Sequence, residues 1–329
     1  MPFNSVIDRD DTEALMPEDA IREIFDNVEQ QSVVGQLARR LRNGTRSEMR
    51  LPVFEALPMA YFVDSDTGMK QTTSLAWQNV FIRYGEIAVI TPIPENVFDD
   101  SEFPVWDQAV PHITGAINQV FDRAVFYKEG APSNWPDSLL DQIVAHGHDV
   151  SPGEATSPDA PGSPGELYDD LLGVGGVLNL VEEDGYVVTG HAAHPNMKAR
   201  LRQVRSDNVP LFANVPGEAG RNRYTLDGEP IVFAMNGSLD KDVTPLISGD
   251  WRQLVWSVRQ DVTWKMLDQA VLTDNASPPN IIYNLPQQDM IALRVKFRVG
   301  WALPNPPTRL NPNDSTRFPF AALIGSLAS

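Results

Sequence analysis

Residues 50–129 constrain the fold of this chain more than any other stretch. Before the turn Asp64-Ser65-Asp66-Thr67-Gly68, the residues Val53, Phe54, Tyr61, Phe62 and Val63 favour extended backbone. After it, Thr72, Thr73, Trp77, Val80, Phe81, Ile82 and Tyr84 again give β-branched and aromatic types, so the pattern predicts a long β-hairpin. Two strands enclose no core. Such a ribbon must lie on a neighbour, unless the arms are two ordinary strands of a larger internal sheet, and pattern alone leaves both open.

The segment EIAVITPIPENVFDD then reads as a short strand and an acidic break, followed by a helix. Trp106, Val110, Ile113, Ile117, Phe121 and Ala124 recur at spacings of three and four and share one helical face. From Pro104 to Lys128 that helix spans about 37 Å at 1.5 Å per residue. Pro104 suits its first turn, whereas Pro111 either kinks it or starts a second helix.

The succession of ribbon, EIAVITPIPENVFDD and long helix resembles the HK97-fold major capsid proteins of tailed phages, in order and character over nearly the whole chain. The resemblance implies an α+β, HK97-like capsid fold. Its parts would be an N-terminal arm (1–49), an extended β-hairpin loop (50–85), a peripheral domain (86–132 and 286–329) with a spine helix at about 104–128, and an axial domain (133–285) with an exposed loop at about 149–166. It implies a subunit that assembles with copies of itself into the hexamers and pentamers of an icosahedral shell around double-stranded DNA. A separate scaffolding protein, a portal protein and a decoration protein are the further partners it suggests, with assembly in the host cytoplasm and residence in the virion. Because the arm begins within about twenty residues of Met1, no scaffolding region is expected ahead of it, which leaves a separate scaffolding protein or none.

Composition agrees with a large globular chain. It has 329 residues, 42% hydrophobic and 21% charged, enough for one large domain or two closely joined ones. The longest apolar run, Leu171–Val181, is broken by glycines and Asn179 and is too short for a bilayer, and the start MPFNSVIDRDD is no secretory signal. No membrane partner is expected. Without cysteine there is no disulfide framework and no thiolate metal site. A net charge of −18 argues against tight nucleic-acid binding over the whole surface, though not against a wall past which packed DNA slides without sequence-specific contact.

The remaining segments read in order. Residues 1–15 lack periodicity; a helix from Met16-Pro17-Glu18-Asp19 carries Ile21, Ile24, Phe25 and Val28 on one face. A second segment with Val33, Val34, Leu37 and Leu41 ends at Asn43-Gly44. Arg39, Arg40, Arg42, Arg46 and Arg50 form the clear basic cluster, either a solvated helix end or a surface for acidic partners. Residues 165–183 predict one helix with close-packing glycines, Tyr186–Thr189 a short buried strand, and Pro195–Arg202 a helix. Tyr224–Met235 reads as two strands about a Thr225-Leu226-Asp227-Gly228 turn. Trp251–Met266 predicts a strand with Leu254, Trp256, Val258, Val262, Trp264 and Met266 on one face. Ile291 to Trp301 predicts a strand about 36 Å long, which the resemblance places beside the spine helix. The proline-rich stretch Pro304–Pro319 ends regular structure.

Nothing in the sequence builds a catalytic centre. Gly173, Gly175 and Gly176 follow no strand and precede no Gly-Lys-Ser/Thr, so a phosphate loop is unsupported. His146/His148 and His191/His194 lack a third ligand motif, and there is no Gly-x-Ser-x-Gly elbow. No catalytic residue, cofactor or metal is therefore assigned. Some members of the resembled family join a ribbon lysine to a neighbour's asparagine with the help of a glutamate. Lys70 matches that lysine in character, but Asp289 and Lys296 fall where the asparagine and glutamate would be; an aspartate is a poor acyl acceptor and a protonated lysine is no base. No such cross-link is expected. The candidate assembly interface is Phe62, Lys70, Trp77, Arg39, Arg40 and Arg42. An encapsulin-like compartment is the close alternative; a β-rich enzyme lacks its site.

Overall fold

The computed structural model describes residues 31–63, 69, 72–73, 75–96, 105–153, 167–203, 205–206, 209–210, 214–216, 222–274, 276–277 and 279–325, with no side-chain placement for 105–108, 203, 205–206, 209–210, 214–216 and 222–224. The first part of the chain gives α1 (Val33–Leu37), β1 (Arg39–Arg40), β2 (Glu48–Ala56), β3 (Ala76–Arg83), β4 (Gly85–Pro94) and the long α2 (Val105–Tyr127). The middle gives α3 (Leu139–His146), β5 (Asp149–Val150), α4 (Leu167–Leu172), α5 (Val177–Glu183), β6 (Gly190–Ala193) and α6 (Met197–Gln203). Short strands follow: β7 (Arg205–Ser206), β8 (Val209–Pro210), β9 (Asn214–Pro216), β10 (Asn222–Leu226), β11 (Glu229–Phe233) and β12 (Leu246–Gly249). The chain closes with β13 (Val255–Leu267), β14 (Val271–Thr273), β15 (Ile281–Asn284), β16 (Met290–Ala302) and β17 (Phe320–Leu323). The architecture is α+β.

Two sheets carry the molecule. One has four strands in the order β1-β13-β16-β4, the other seven in the order β5-β17-β12-β6-β11-β10-β9. Strand β16 is the centre of the first, antiparallel to β4 from Met290↔Pro94 to Val299↔Gly85 and to β13 on its other side. Its alternation buries Leu293 and Val295 against Ile113 and Ile117 of α2, which is why the long strand and the long helix lie together. Helix α2 continues as one helix through Pro111. Ile113, Ile117, Phe121 and Ala124 are buried as their spacing predicts; the side chain of Trp106 lies outside the described residues. Beyond Phe121 the helix is buried on further sides: Asp122, Val125 and Phe126 are also inaccessible. Phe126 meets Trp251 edge to face, with ring centroids 6.5 Å apart, in the core that joins the two sheets.

Several sequence expectations are corrected. The second segment of the arm is helical only to Leu37; Arg39 and Arg40 instead pair in parallel with Val255 and Trp256. The amides of Arg39, Leu41 and Gly44 donate to carbonyls of Leu254, Trp256 and Val258, so the exposed edge of β13 pulls the chain out of the helix. Where the sequence predicts one helix over 165–183, the described residues 167–183 form two. A Cβ on Gly173 or Gly176 would stand 2.6 or 2.7 Å from the Asp169 carbonyl, and Gly175 takes φ +79°, so the glycines turn the chain there. Tyr186–Thr189 is not a strand; the strand begins at Gly190. The clean alternation of 251–266 is interrupted by register shifts between Val258 and Gln260 and again before Thr263. Beyond these shifts Trp264 and Met266 are exposed, while upstream of them Leu254 and Val255 are both buried. The sequence grouping of segments also differs from the sheets: β13, grouped with the middle of the chain, pairs with β16, and β17, grouped with β16, lies between β5 and β12. The helix expected at Met16–Val28, the turn at 64–68 and most of the 149–166 loop lie outside the described residues.

Candidate assembly surfaces

The ribbon is β2 paired antiparallel with β3, from Glu48↔Arg83 to Ala56↔Ala76. Its ladder is shorter than its sequence predicts, with residues 57–63 described as irregular. The root is held by Ile82, buried with Val255 and Ala302. There the backbones come so close that a Cβ on Gly300 would lie 2.4 Å from the Arg83 carbonyl oxygen. One face is open to solvent. On it Phe54 lies across from Trp77 with ring centroids 4.0 Å apart, and Arg83 reaches Glu48 at 3.8 Å. Phe62 is 100% exposed, Met69 94% and Trp77 57%. Exposure of that much large apolar surface along one element marks a surface meant for covering. Arg309 clasps the ribbon back to the body, its Nη1 donating to the Pro58 carbonyl at 2.7 Å.

Of the residues singled out from sequence, Phe62 and Trp77 are thus open on the ribbon, and Lys70 lies outside the described residues. Arg39 and Arg40 are exposed on β1, with the Arg40 guanidinium 5.4 Å from the centre of the Trp256 ring. Arg42 belongs to a separate cleft at the ribbon root. The five that are described do not converge on one spot; they divide between the ribbon and the strap that crosses its base.

The strap is fixed by a residue sequence reasoning missed. Asp122 is fully buried on α2 and accepts from the Ser32 hydroxyl at 2.6 Å, the Val33 amide at 2.8 Å and Asn236 Nδ2 at 2.7 Å. The carboxylate therefore satisfies the free amides at the start of α1. Burial raises its pKa above the usual carboxylate value, against the hydrogen bonds that lower it. An acid amid the apolar run of Phe121, Val125 and Phe126 was the available signal.

Between α2 and β4 runs an apolar groove of about 710 Å³, lined among others by Ile87, Ile90, Ile117, Val120 and Trp135. At its edge Glu86 bridges β4 to β16, with Lys296 Nζ at 2.9 Å and Arg298 Nε at 2.7 Å. Hydrogen bonds from Lys296 and then Arg298 hold its pKa below the usual range. Lys296 is thus engaged with Glu86, and Asp289 is an exposed turn residue at φ +49°.

His148 and His191 serve the interior. His148 Nε2 lies 3.2 Å from Asp184 and its Nδ1 3.1 Å from the Phe320 carbonyl; burial lowers its pKa, with Asp184 opposing. His191 is driven down to about 4 by burial; its Nε2 faces the Leu226 carbonyl and so carries the proton, while Nδ1 accepts from Ser248. Asp184 also accepts from Asn311 Nδ2 and the Phe318 amide, both at 2.6 Å. With Tyr186 donating to Pro306 O at 2.6 Å, it lays the proline-rich 303–318 segment on the body. Among the described residues no group of three or more His, Asp or Glu is placed to hold a metal ion, and no helix is long and apolar enough to cross a membrane.

These surfaces belong to a known architecture. The structure resembles one from Microbacterium phage Oxtober96 with a TM-score of 0.76 and 28% identity, covering 97% of this chain and 99% of the other. It resembles one from Mycobacterium phage Bobi with a TM-score of 0.75 and 27% identity, covering 98% and 99%. The major capsid protein of Staphylococcus phage 80alpha is 24% identical over 255 residues, 77% of this chain and 71% of that one. The model of the phage capsid family matches residues 12–307. A chain matched over that span belongs to the phage capsid family, whose members are structural proteins of the virion.

Proposed function

We propose that this chain is the major subunit of an icosahedral phage shell, with an HK97-like fold, and that it assembles as hexamers and pentamers around double-stranded DNA. The observation that carries the reading is the ribbon: Phe62, Met69 and Trp77 expose apolar surface that a single subunit leaves uncovered. A second copy covers it, and heterologous contacts repeated around five- and six-fold axes close a shell. On this reading residues up to 49 are the arm, the ribbon is the extended loop, and α2 is the spine of a peripheral part built on the four-stranded sheet. The seven-stranded sheet is then the axial part. Contacts of roughly 2,000 Å² or more per pair are the class expected of such obligate neighbours.

The shell is held without Lys–Asn cross-links. Lys296 is tied to Glu86, and Asp289 offers a carboxylate where an amide is needed. A separate scaffolding protein, a portal protein and a decoration protein are the further partners, with assembly in the host cytoplasm. Electron microscopy of the purified recombinant protein, alone and with scaffold candidates, tests the reading. Closed shells or capsomer rings are expected, and a single band after boiling in detergent. A monodisperse monomer under every condition would overturn it, and a small shell filled with cargo protein would assign an encapsulin-like role.

A further inference from the structure

The ribbon is tied to the body beyond its ladder. Past the last pair, Ala56↔Ala76, the first arm runs irregularly through residues 57–63. There the Pro58 carbonyl accepts from Arg309 Nη1 at 2.7 Å, across 251 positions of sequence. The next residue passes the tie to the other arm, because the Met59 amide donates to Thr73 Oγ1 at 3.0 Å. Arg309 is itself seated through both of its chain neighbours. The Thr308 hydroxyl donates to the carbonyl of buried Asp184, and a Cβ on Gly185 would stand 3.3 Å from Leu310. We infer that Arg309 is a positioning residue for assembly, which holds the outer ribbon in the pose that presents its apolar side chains to a second copy.

Exposure decides between presenting the ribbon and hiding it. With the clasp closed, Phe62 is 100% exposed and Met59 76%, so the clasp covers neither and does not withhold them from a partner. What it removes is freedom. Residues 57–63 have no ladder to fix them, and a loose segment must surrender its conformational entropy when it docks. A segment already held surrenders less, so the same contact binds more tightly. Arginine suits the task, because its planar fork fixes the direction of a hydrogen bond as well as its length. Arg309 and Pro58 are both exposed, so the tie sets geometry and adds nothing to the core. The inference takes its consequence from the shell reading and its geometry from the single subunit.

In the unassembled full-length subunit, R309A should leave the urea midpoint unchanged. It should speed chymotryptic cleavage after Phe62 roughly fivefold, with R309K nearer the wild type because it keeps a donor. Tryptic cleavage after Arg317, in the same proline-rich segment, should stay at the wild-type rate. In assembly followed by light scattering, R309A should need about threefold more protein for onset. Unchanged cleavage after Phe62 would overturn the inference. So would equal acceleration at Phe62 and Arg317, which would make Arg309 a tether of the proline-rich segment alone, or assembly of R309A at or below the wild-type concentration. If the wild type formed no shell, the proposed function would fall, while the cleavage comparison would still decide whether Arg309 holds the ribbon.

Discussion

The Asp122 carboxylate accepts a 2.6 Å hydrogen bond from the Ser32 hydroxyl across 90 positions of sequence. This contact fixes where the N-terminal strap leaves the body. Ser32 caps α1 and donates to Asp122 at the same time, while Asn236 holds the far side of the carboxylate at 2.7 Å. Truncation to Asp122→Ala strands these donors in the core, and a loss of about 3 kcal/mol in urea unfolding of the unassembled subunit is expected. The pH dependence has a definite sign. Burial raises the folded pKa above the ordinary 3.8, so the folded state binds more protons between the two values. The wild type should therefore lose stability from this group as pH rises from about 4 through the folded pKa, and remain level above it. Asp122→Asn cannot titrate and should lack that slope; an identical slope in both proteins would show that Asp122 is not the group responsible.

Glu86 works in the opposite direction. Its partners Lys296 and Arg298 lower its pKa from the ordinary 4.5, so its contribution is complete above that value and fades as pH falls through the lowered one. The side chain is 32% exposed, and solvent screens the pair. Glu86→Gln should consequently cost less than about 1 kcal/mol, and the cost should shrink further in high salt. Thermal melts at low and high ionic strength measure it; a salt-independent loss of several degrees would instead indicate a packing role.

What was legible in the sequence depended on period. Strand β16 alternates in sequence and helix α2 keeps one apolar stripe as far as Phe121, and the buried Ile113, Ile117, Leu293 and Val295 follow from these periods. Strand β13 does not: its register shifts near Gln260 reset which side chains face inward, and a shift of one residue moves a side chain to the other face. Arg39 and Arg40 read as the end of a helix because local propensity favours one there, yet the edge of β13 supplied stronger pairing. The grouping of β17 with β5 and β12 rests on contacts from opposite ends of the chain, which no local pattern carries. Asp122 and Asp184 were lost among 44 acids because burial, not residue type, sets them apart.

Asp184 carries the proline-rich strap. Prolines cannot supply amide donors, so residues 303–318 depend on side-chain anchors rather than a ladder. Asn311, the Phe318 amide and His148 all converge on the Asp184 carboxylate, and the Thr308 hydroxyl donates to its carbonyl. Asp184→Ala should expose the strap to trypsin at Arg309 and Arg317, and destabilise the subunit by about 3 kcal/mol. Tyr186→Phe removes only the hydroxyl that donates to Asn305 and Pro306 and should cost about 1 kcal/mol. Similar cleavage rates in Asp184→Ala and wild type would mean that the strap is held by its packing, principally through buried Phe318.

Phe62 separates the needs of folding from those of assembly. Its side chain is 100% exposed in the subunit, so Phe62→Asp removes no buried contact and should leave the urea midpoint of the unassembled protein unchanged. Burial of a phenylalanine on a neighbour is worth roughly 1.5–3 kcal/mol, and a shell repeats that contact at every ribbon. A modest loss per contact therefore multiplies around each closed ring, and assembly should fail or require much higher protein concentration. Light scattering of the purified variant against wild type reads this directly. Trp77→Asp is the harsher comparison, because Trp77 stacks on Phe54 within its own ribbon and its loss weakens the subunit as well. If Phe62→Asp assembles at the wild-type concentration with the wild-type particle size, the exposed ribbon tip is not the contact that builds the shell.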